Sequence, residues 1–177
     1  MPEPSSVQLT MVEGDIAVLT FDVPGKGANI LSRSVLDDFE REIRDLQGGN
    51  ISVLFHWEPE YPSLLEHLSN RPPVLCVAGR LLPEDDPAIA IVGTRSPTGE
   101  GYEMARRLGE AFAGVGVTVV SGMARGCDTA AHTGALNGGG RTVAVLGCGI
   151  RVLYPHENVD LARRIFNSGA VISEQEP

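Results

Sequence analysis

Residues 88–177 predict an α/β fold, a Rossmann-like, doubly wound sheet of parallel strands. Short apolar runs without polar alternation, such as "AIAIVG" and "VTVVSG", alternate with longer stretches of helical periodicity. Such runs are typical of strands that are covered on both faces, so helices are expected on both sides of the sheet. Right-handed crossovers between the runs then make the strands parallel.

Each element of this part can be assigned in turn. The first helix is predicted over 99–116, ending at Gly114 or Gly116, with apolar side chains at helical spacing as its core face. These are Met104, Leu108, Ala111 and Phe112. A second helix is expected in "CDTAAHTGALNGG", with Asp128 or Thr129 as its cap. The strand "RTVAVLG", the helix "VDLARRIFNSG" and the strand "AVISE" follow.

The amino-terminal part has a different pattern. "VQLTMVEGDIAVLTFD" alternates like two strands joined at Gly14-Asp15, and "VLDDFEREIRDL" predicts a helix. "GGN" at 48–50 marks a boundary. We therefore expect three parts: residues 1–48, an extension over 49–87, and the Rossmann-like domain over 88–177.

Composition argues against several classes of protein. No apolar run approaches the roughly 18 residues that span a bilayer, and the N-terminus lacks the pattern of a signal peptide. We therefore expect a cytoplasmic protein without a membrane partner.

The chain has three cysteines and no CxxC pair, which argues against a disulfide framework and a zinc site. They are Cys76, Cys127 and Cys148. Free thiols are expected instead.

The net charge of −9 is distributed unevenly. Residues 1–87 carry all the excess negative charge, whereas acidic and basic side chains balance in 88–177, where every base is an arginine. Arginine makes forked hydrogen bonds to phosphate and stacks on bases. This distribution lowers the expectation of long-range attraction to DNA and is compatible with local binding.

Three polar, glycine-containing loops follow predicted strands: "GTRSPTGEG", "SGMARGCD" and "GCGIRVLYPHEN". In open α/β sheets, ligands bind beyond the carboxyl ends of the strands, near helix N-termini. Glycines let the backbone approach a ligand, Ser121 and helix N–H groups can hold a phosphate, and Arg95 and Arg125 can neutralise it. The loops lack G-x-G-x-x-G and a Walker A lysine, since the only lysine is Lys26. A phosphoryl-transfer enzyme is therefore disfavoured.

These stretches lead to a family. Residues 51–177 resemble the DprA/Smf DNA-processing proteins through "YPSLLEHLSNRPPVLCVAGRL", "AIVGTRSPTGEGYEMARRL", "VVSGMARGCDTAAHTGALNGGGRTVAVLGCGIRVLYPHEN" and "GAVISEQEP", in family order and spacing. The resemblance implies a protein without enzymatic activity, cofactor or metal. It implies binding of single-stranded DNA, transfer of that DNA to the RecA recombinase in natural transformation, and a homodimer. By position, it assigns DNA or phosphate binding to Gly93, Thr94, Arg95, Ser121, Gly122, Arg125, Gly126, Asp128, His132 and His156.

Two features depart from that family. The chain ends at "SEQEP", where relatives continue into an F-P-x-R-N-R segment, so we expect an incomplete sheet whose last strand is an exposed edge. Residues 1–47 resemble instead the start of a crotonase, an enoyl-CoA hydratase domain. The catalytic segments of that family are absent, so this part is expected to be an appended element without hydratase activity.

Several residues also have structural interpretations. Arg95 and Arg125 can be ordinary surface residues, although two arginines at adjacent strand ends favour phosphate binding. His132, on an alanine-rich helix, is expected to pack rather than to catalyse. Asp128 is expected to cap that helix and to orient Arg125.

Three aromatic residues have two possible roles, and two alternative functions are compatible with the sequence. Trp57, Tyr61 and Tyr154 can stack on bases or be partly buried; burial is favoured for Trp57, and the two are balanced for Tyr154. One alternative function is a nucleotide-binding Rossmann enzyme that cleaves nucleoside monophosphates, although its usual P-G-G-x-G-T-x-x-E loop is absent. The other is a truncated fusion without function.

Overall fold

The computed structural model describes residues 7–12, 16–21, 51–152 and 154–175. β1 (Val7–Val12) and β2 (Ile16–Phe21) pair antiparallel, with the end of β1 opposite the start of β2, so the two predicted strands are confirmed. The turn predicted at Gly14-Asp15 lies outside the described residues. The helix predicted from "VLDDFEREIRDL" lies outside the described residues.

A six-stranded mixed sheet forms the centre of the remaining described residues. Its strands are β3 (Ile51–Phe55), β4 (Val74–Gly79), β5 (Ala88–Ala90), β6 (Thr118–Ser121), β7 (Thr142–Leu146) and β8 (Ala170–Ser173). Their order in space is β3-β4-β8-β7-β6-β5. β5 to β8 are parallel, and β4 pairs antiparallel with both β8 and β3. The α/β, Rossmann-like class is thereby confirmed.

The position of β8 differs from the prediction. We expected the last strand to be an exposed edge, but β8 lies between β4 and β7, and the edges of this sheet are β3 and β5. The reason is that the segment before residue 88, which was predicted only as an extension, supplies two strands that add antiparallel to β8.

Three α-helices connect the parallel strands and pack on one face of the sheet. They are α1 (Gly99–Gly114), α2 (Cys127–Asn137) and α3 (Val159–Ser168). Val119, Ala144 and Val171 lie on the same face by register; α1 and α2 cover the first, and α3 covers the other two. This follows because the parallel strands are in chain order, so right-handed crossovers keep each helix on one side.

The opposite face is covered by a different segment. Tyr61 and Leu65, at the 3₁₀ helix Ser63–His67, pack with Leu81 against β4, β7 and β8. Short 3₁₀ helices also occur at Pro83–Asp85 and His156–Asn158. Within the described residues the α-helices therefore cover only one face, and the other face has only this short 3₁₀ helix where α-helices were expected on both. None of these described helices is long and apolar enough to cross a membrane.

The predicted core face of α1 is correct for Phe112, which packs against the core, and wrong for Met104 and Leu108. Met104 is 60% exposed and Leu108 42% exposed, whereas Ala105, Gly109 and Ala113 are buried. The cause is the close approach of α1 and α2: a Cβ atom at Gly109 would overlap the Ala131 carbonyl oxygen. Two helices at that distance admit only small side chains at their contact, so Met104 and Leu108 are left exposed.

Candidate nucleic-acid interface

The loops that follow β5 and β6 lie against each other at the carboxyl edge of the sheet. The Cys127 N–H, at the start of α2, donates to the Thr94 carbonyl at 3.2 Å. The Ser121 hydroxyl donates to the Ile91 carbonyl at 2.6 Å. These bonds join the two loops, so residues 93–95 and 122–126, which we call the phosphate edge, form one surface beside the N-terminus of α2.

The first loop of the phosphate edge presents polar groups to solvent. Gly93, Thr94 and Arg95 are all exposed. The Thr94 hydroxyl accepts the Ser96 N–H at 3.2 Å, which fixes the turn. No hydrogen bond or ion pair engages the Arg95 guanidinium within the described part of the chain. Arg95 therefore keeps its donors available for a ligand.

The second loop of the phosphate edge contains two residues with positive φ, Gly126 and Met123. Gly126 has φ of 81°, and a Cβ there would meet the Thr94 carbonyl, Pro97 and the Arg95 backbone. Glycine is required at this position both by conformation and by space. Met123 also has a positive φ, of 65°, and is fully buried. Gly126 thus brings the two loops into contact, as part of the predicted site.

Asn158 anchors the second loop through hydrogen bonds, a role that the sequence did not predict. Its side-chain amide, which is buried, donates to the Met123 carbonyl at 2.8 Å and to the Thr129 hydroxyl at 2.9 Å. Thr129 in turn donates to the Ala124 carbonyl at 2.7 Å. Only the position of Asn158 after the turn "YPHE", in the third candidate loop, could have signalled this contact.

Ser121 and Asp128 do not face a ligand, contrary to the prediction. Ser121 is 2% exposed and its hydroxyl is committed to Ile91. Asp128 is buried, and its carboxylate accepts the Ala124 N–H at 3.3 Å. The residue that caps α2 is Gly126, without a side-chain bond, so the predicted cap at Asp128 or Thr129 is wrong. Both side chains therefore hydrogen-bond to the backbone beneath the loop surface.

His132 is also a structural residue, and its assignment to DNA binding is wrong. It is completely buried, and its Nδ1 lies 2.7 Å from the Thr142 hydroxyl. Because that hydroxyl donates to the Val119 carbonyl at 2.6 Å, Nδ1 is the donor. Burial, partly offset by the Ser121 backbone, lowers the pKa of His132 to about 4. The ring is therefore neutral near pH 7 and inaccessible to a phosphate.

The third loop contributes an acidic partner to the phosphate edge. Glu157 forms an ion pair with Arg125, with 2.5 Å between a carboxylate oxygen and a guanidinium nitrogen, and both side chains are about 60% exposed. The expected orientation of Arg125 by Asp128 is wrong, since Glu157 takes that place. His156 is exposed beside Glu157, and Tyr154 is 62% exposed.

The predicted site therefore divides into two sets. Gly93, Thr94, Arg95, Gly122, Arg125 and Gly126 form the phosphate edge, and His156 flanks it. Ser121, Asp128 and His132 lie behind it. An edge with arginine guanidinium groups, glycine backbone and a helix N-terminus suits an anionic ligand. Asp128 and His132 are buried away from this edge.

The three aromatic residues considered for base stacking differ in exposure. Trp57 is 69% exposed, so the favoured interpretation of burial is wrong for it. Tyr61 is 4% exposed and its hydroxyl donates to the Pro72 carbonyl at 2.7 Å. Burial raises the pKa of the Tyr61 phenol above its usual value. Tyr61 therefore belongs to the core, whereas Trp57 and Tyr154 are accessible.

Comparisons with known proteins agree with this architecture. Similar solved structures include DNA processing protein A from Streptococcus pneumoniae, with a TM-score of 0.67 and 28% identity over 86% of this chain and 54% of that one. Another is DNA processing protein A from Helicobacter pylori, whose single-stranded DNA binding mode has been examined structurally. It has a TM-score of 0.63 and 30% identity over 72% of this chain and 56% of that one.

Sequence relatives lead to the same group. Protein Smf of Synechocystis sp. is 41% identical over 136 residues, which are 75% of this chain and 34% of that protein. DprA of Streptococcus pneumoniae is 37% identical over 117 residues, 66% of this chain and 41% of that protein. The chain thus spans well under half the length of these relatives.

The profile of the DNA recombination-mediator protein A family matches residues 52–177. The crotonase-like interpretation of residues 1–47 has no support from these comparisons. The match covers most of the chain, including every residue of the phosphate edge. This chain therefore belongs to the DNA recombination-mediator protein A family, the DprA/Smf proteins.

Proposed function

We propose that this chain binds single-stranded DNA, without catalysing a reaction, through the phosphate edge. The observation that carries the proposal is that Arg95 and Arg125 stand exposed on two loops that touch each other beside the N-terminus of α2. Forked guanidinium donors and helix N–H groups are both suited to phosphate oxygens. The structural similarity to the Helicobacter pylori protein, described for its binding of single-stranded DNA, supports the same ligand.

The residues of the predicted site have two roles in this proposal. Gly93, Thr94, Gly122 and Gly126 bring the backbone close to the DNA strand, and Arg95 and Arg125 neutralise its phosphates. His156 flanks the strand. Ser121, Asp128 and His132 keep the loops in shape and do not contact DNA. This division follows from exposure, because a buried side chain cannot reach a polymer on the surface.

Charge sets the mode of binding. The chain carries a net charge of −9, so it does not attract DNA from a distance, and the arginines act locally. Binding by phosphate contact releases counterions and weakens as salt rises. Contacts of this kind carry little sequence preference. The proposed activity is therefore salt-sensitive and tolerant of sequence.

Family membership supports the wider role. We propose that the bound strand is passed to the RecA recombinase in DNA uptake, that the protein is cytoplasmic, and that it acts as a homodimer. We also propose that residues 88–177 are the DNA-binding part, with 49–87 as an extension that completes the sheet through β3 and β4. Residues 1–48 are proposed as a separate appended element.

Fluorescence anisotropy of a labelled oligo-dT tests the proposal. Arg95→Ala removes a guanidinium that has no partner in the described structure, so folding is expected to be unchanged and affinity to fall about tenfold, as for one lost charge-assisted hydrogen bond. Arg163→Ala is the matched control, because Arg163 is 70% exposed on α3, pairs among the described residues only with Asp160, and makes the same change in charge. Equal affinity of the wild type and Arg95→Ala would contradict the proposal.

A further inference from the structure

A stacked pair of aromatic rings, the half-buried Phe55 and the exposed Trp57, lies at the end of β3. Trp57, the only tryptophan of the chain, has its ring centroid 4.8 Å from that of Phe55, with 12° between the planes. His56 meets Trp57 edge-on at 5.0 Å and 77°. We call Phe55, His56 and Trp57 the aromatic step. Since Trp57 is 69% exposed, most of its indole is accessible to a flat ligand.

The aromatic step is held in place by its own turn. The Phe55 N–H donates to the Glu58 carboxylate at 2.7 Å, and the Glu58 N–H donates to the Phe55 carbonyl at 3.0 Å. The His56 N–H donates to the Pro73 carbonyl at 3.1 Å. Neither Phe55 nor Trp57 belongs to a hydrophobic core cluster of the described residues. The stack is therefore ordered by local bonds, and core packing does not account for it.

The topology places the aromatic step on the same edge of the sheet as the phosphate edge. β3 is antiparallel to β4, and β4 is antiparallel to β8, so β3 runs parallel to β5–β8. The carboxyl end of β3 therefore shares the edge with the loops after β5 and β6. β3 and β6 are separated by three strands, which corresponds to roughly 19 Å at the usual strand spacing. The loop after β7, which carries Tyr154, lies between them.

We propose that the aromatic step is a stacking subsite for an unpaired base of the DNA strand whose phosphates bind at the phosphate edge. This inference rests on the proposed DNA binding and adds a second kind of contact to it. Successive bases of single strands stack on exposed aromatic rings in proteins that bind them without sequence preference. The separation along the edge is within reach of a few nucleotides, and such proteins commonly cover 4–16 nucleotides per module.

The charges around the aromatic step favour a base over a phosphate. Glu58 is part of the turn, and Glu60 is exposed two residues further on. These carboxylates repel phosphate and do not oppose stacking of a neutral base on the indole. The phosphate edge has the opposite character, with two exposed arginines. The DNA strand is thus bound through its phosphates at the phosphate edge and through a base at the aromatic step.

The sole tryptophan makes the test specific. Wild-type protein is titrated with oligo-dT and with an abasic oligonucleotide of the same length, recording tryptophan fluorescence and, with labelled strands, anisotropy. We expect oligo-dT to quench the fluorescence of Trp57 on binding and the abasic strand to bind more weakly without quenching. Trp57→Ala is expected to weaken oligo-dT binding about fivefold or more, Trp57→Phe much less, and neither to change abasic binding. Leu64→Ala, an exposed apolar residue of the same segment, is the control.

The outcomes separate this inference from the proposed function. Salt-sensitive anisotropy without quenching, or quenching of equal size by the abasic strand, would overturn the stacking subsite and leave DNA binding intact. Absence of any anisotropy change at low salt would overturn the proposed function and the subsite with it. Because the quenching is measured on the wild type, the result does not depend on the folding of a variant.

Discussion

Arginine is used in opposite ways at the two ends of the parallel strands. At the amino end, Arg141 donates to both Asp85 carboxylate oxygens at 2.7 and 2.9 Å, and to the Arg80 and Ser168 carbonyls at 2.7 and 3.1 Å. At the carboxyl end, Arg95 has no side-chain partner in the described structure, and Arg125 has only Glu157. An arginine whose donors are occupied builds the fold, whereas one with open donors beside glycine loops is available to a ligand.

The pKa of Asp85 reflects the hydrogen bonds that stabilise the amino end of the parallel strands. Burial by itself would raise the pKa of Asp85, but hydrogen bonds from Arg141, the Leu82 N–H and the Thr118 hydroxyl lower it below the usual value. A carboxyl group with a lowered pKa in the folded state stabilises the protein above the pKa of the unfolded chain. That contribution is lost as the pH falls through the folded-state pKa. The Asp85–Arg141 pair therefore stabilises the fold at neutral pH.

Arg141→Ala is expected to have the largest effect on stability. It removes four hydrogen bonds and leaves Asp85, whose side chain is 14% exposed, without its cation, at a cost of about 3 kcal/mol in the free energy of unfolding. Urea unfolding measures this, with Arg163→Ala as the control for an exposed pair that contributes under about 1 kcal/mol. The affinity of the folded fraction for oligo-dT should stay unchanged. Wild-type stability for Arg141→Ala would show that the contrast between the two ends is wrong.

His132 predicts a pH dependence of similar or slightly smaller size. Its pKa is about 4 in the folded protein and near 6.5 in the unfolded chain, so between these values the unfolded chain binds the extra proton. The free energy of unfolding should therefore fall by about 3 kcal/mol as the pH is lowered from 7 to 4. His132→Gln should lack this part of the pH dependence in parallel urea titrations. Identical pH slopes for the two proteins would refute the buried neutral assignment.

The sequence predicted the parallel strands and the loops after them because apolar runs, glycines and arginines are local signals. It did not predict which side of a loop each polar residue occupies: Arg125 faces solvent, whereas Asp128, three residues later, is buried under Gly122. Nor did it predict the outward Met104, because that depends on how closely two helices approach. The internal position of β8 depends on antiparallel pairing with β4, a contact between residues distant in sequence.

Glu157→Gln is expected to have the smallest effect, in the favourable direction. Because Glu157 competes with phosphate for Arg125, its neutralisation should tighten oligo-dT binding about 1.4- to 5-fold, the range for an exposed pair. Glu174→Gln removes another exposed carboxylate, after β8 on the same edge, and should change affinity less. The difference should vanish in an Arg125→Ala background. Equal gains from both substitutions would indicate a general charge effect instead of a specific competition.

The salt dependence of oligo-dT affinity tests the central claim most directly. Each phosphate contact on a single strand contributes about 0.7 to the slope of log K against log salt concentration. The double variant Arg95→Ala/Arg125→Ala is therefore expected to have a slope shallower than that of the wild type by about 1.4, while Arg163→Ala keeps the wild-type slope. Three equal slopes would contradict the assignment of phosphate binding to this edge, and a loss of slope confined to the two loop arginines is the result that the structure predicts.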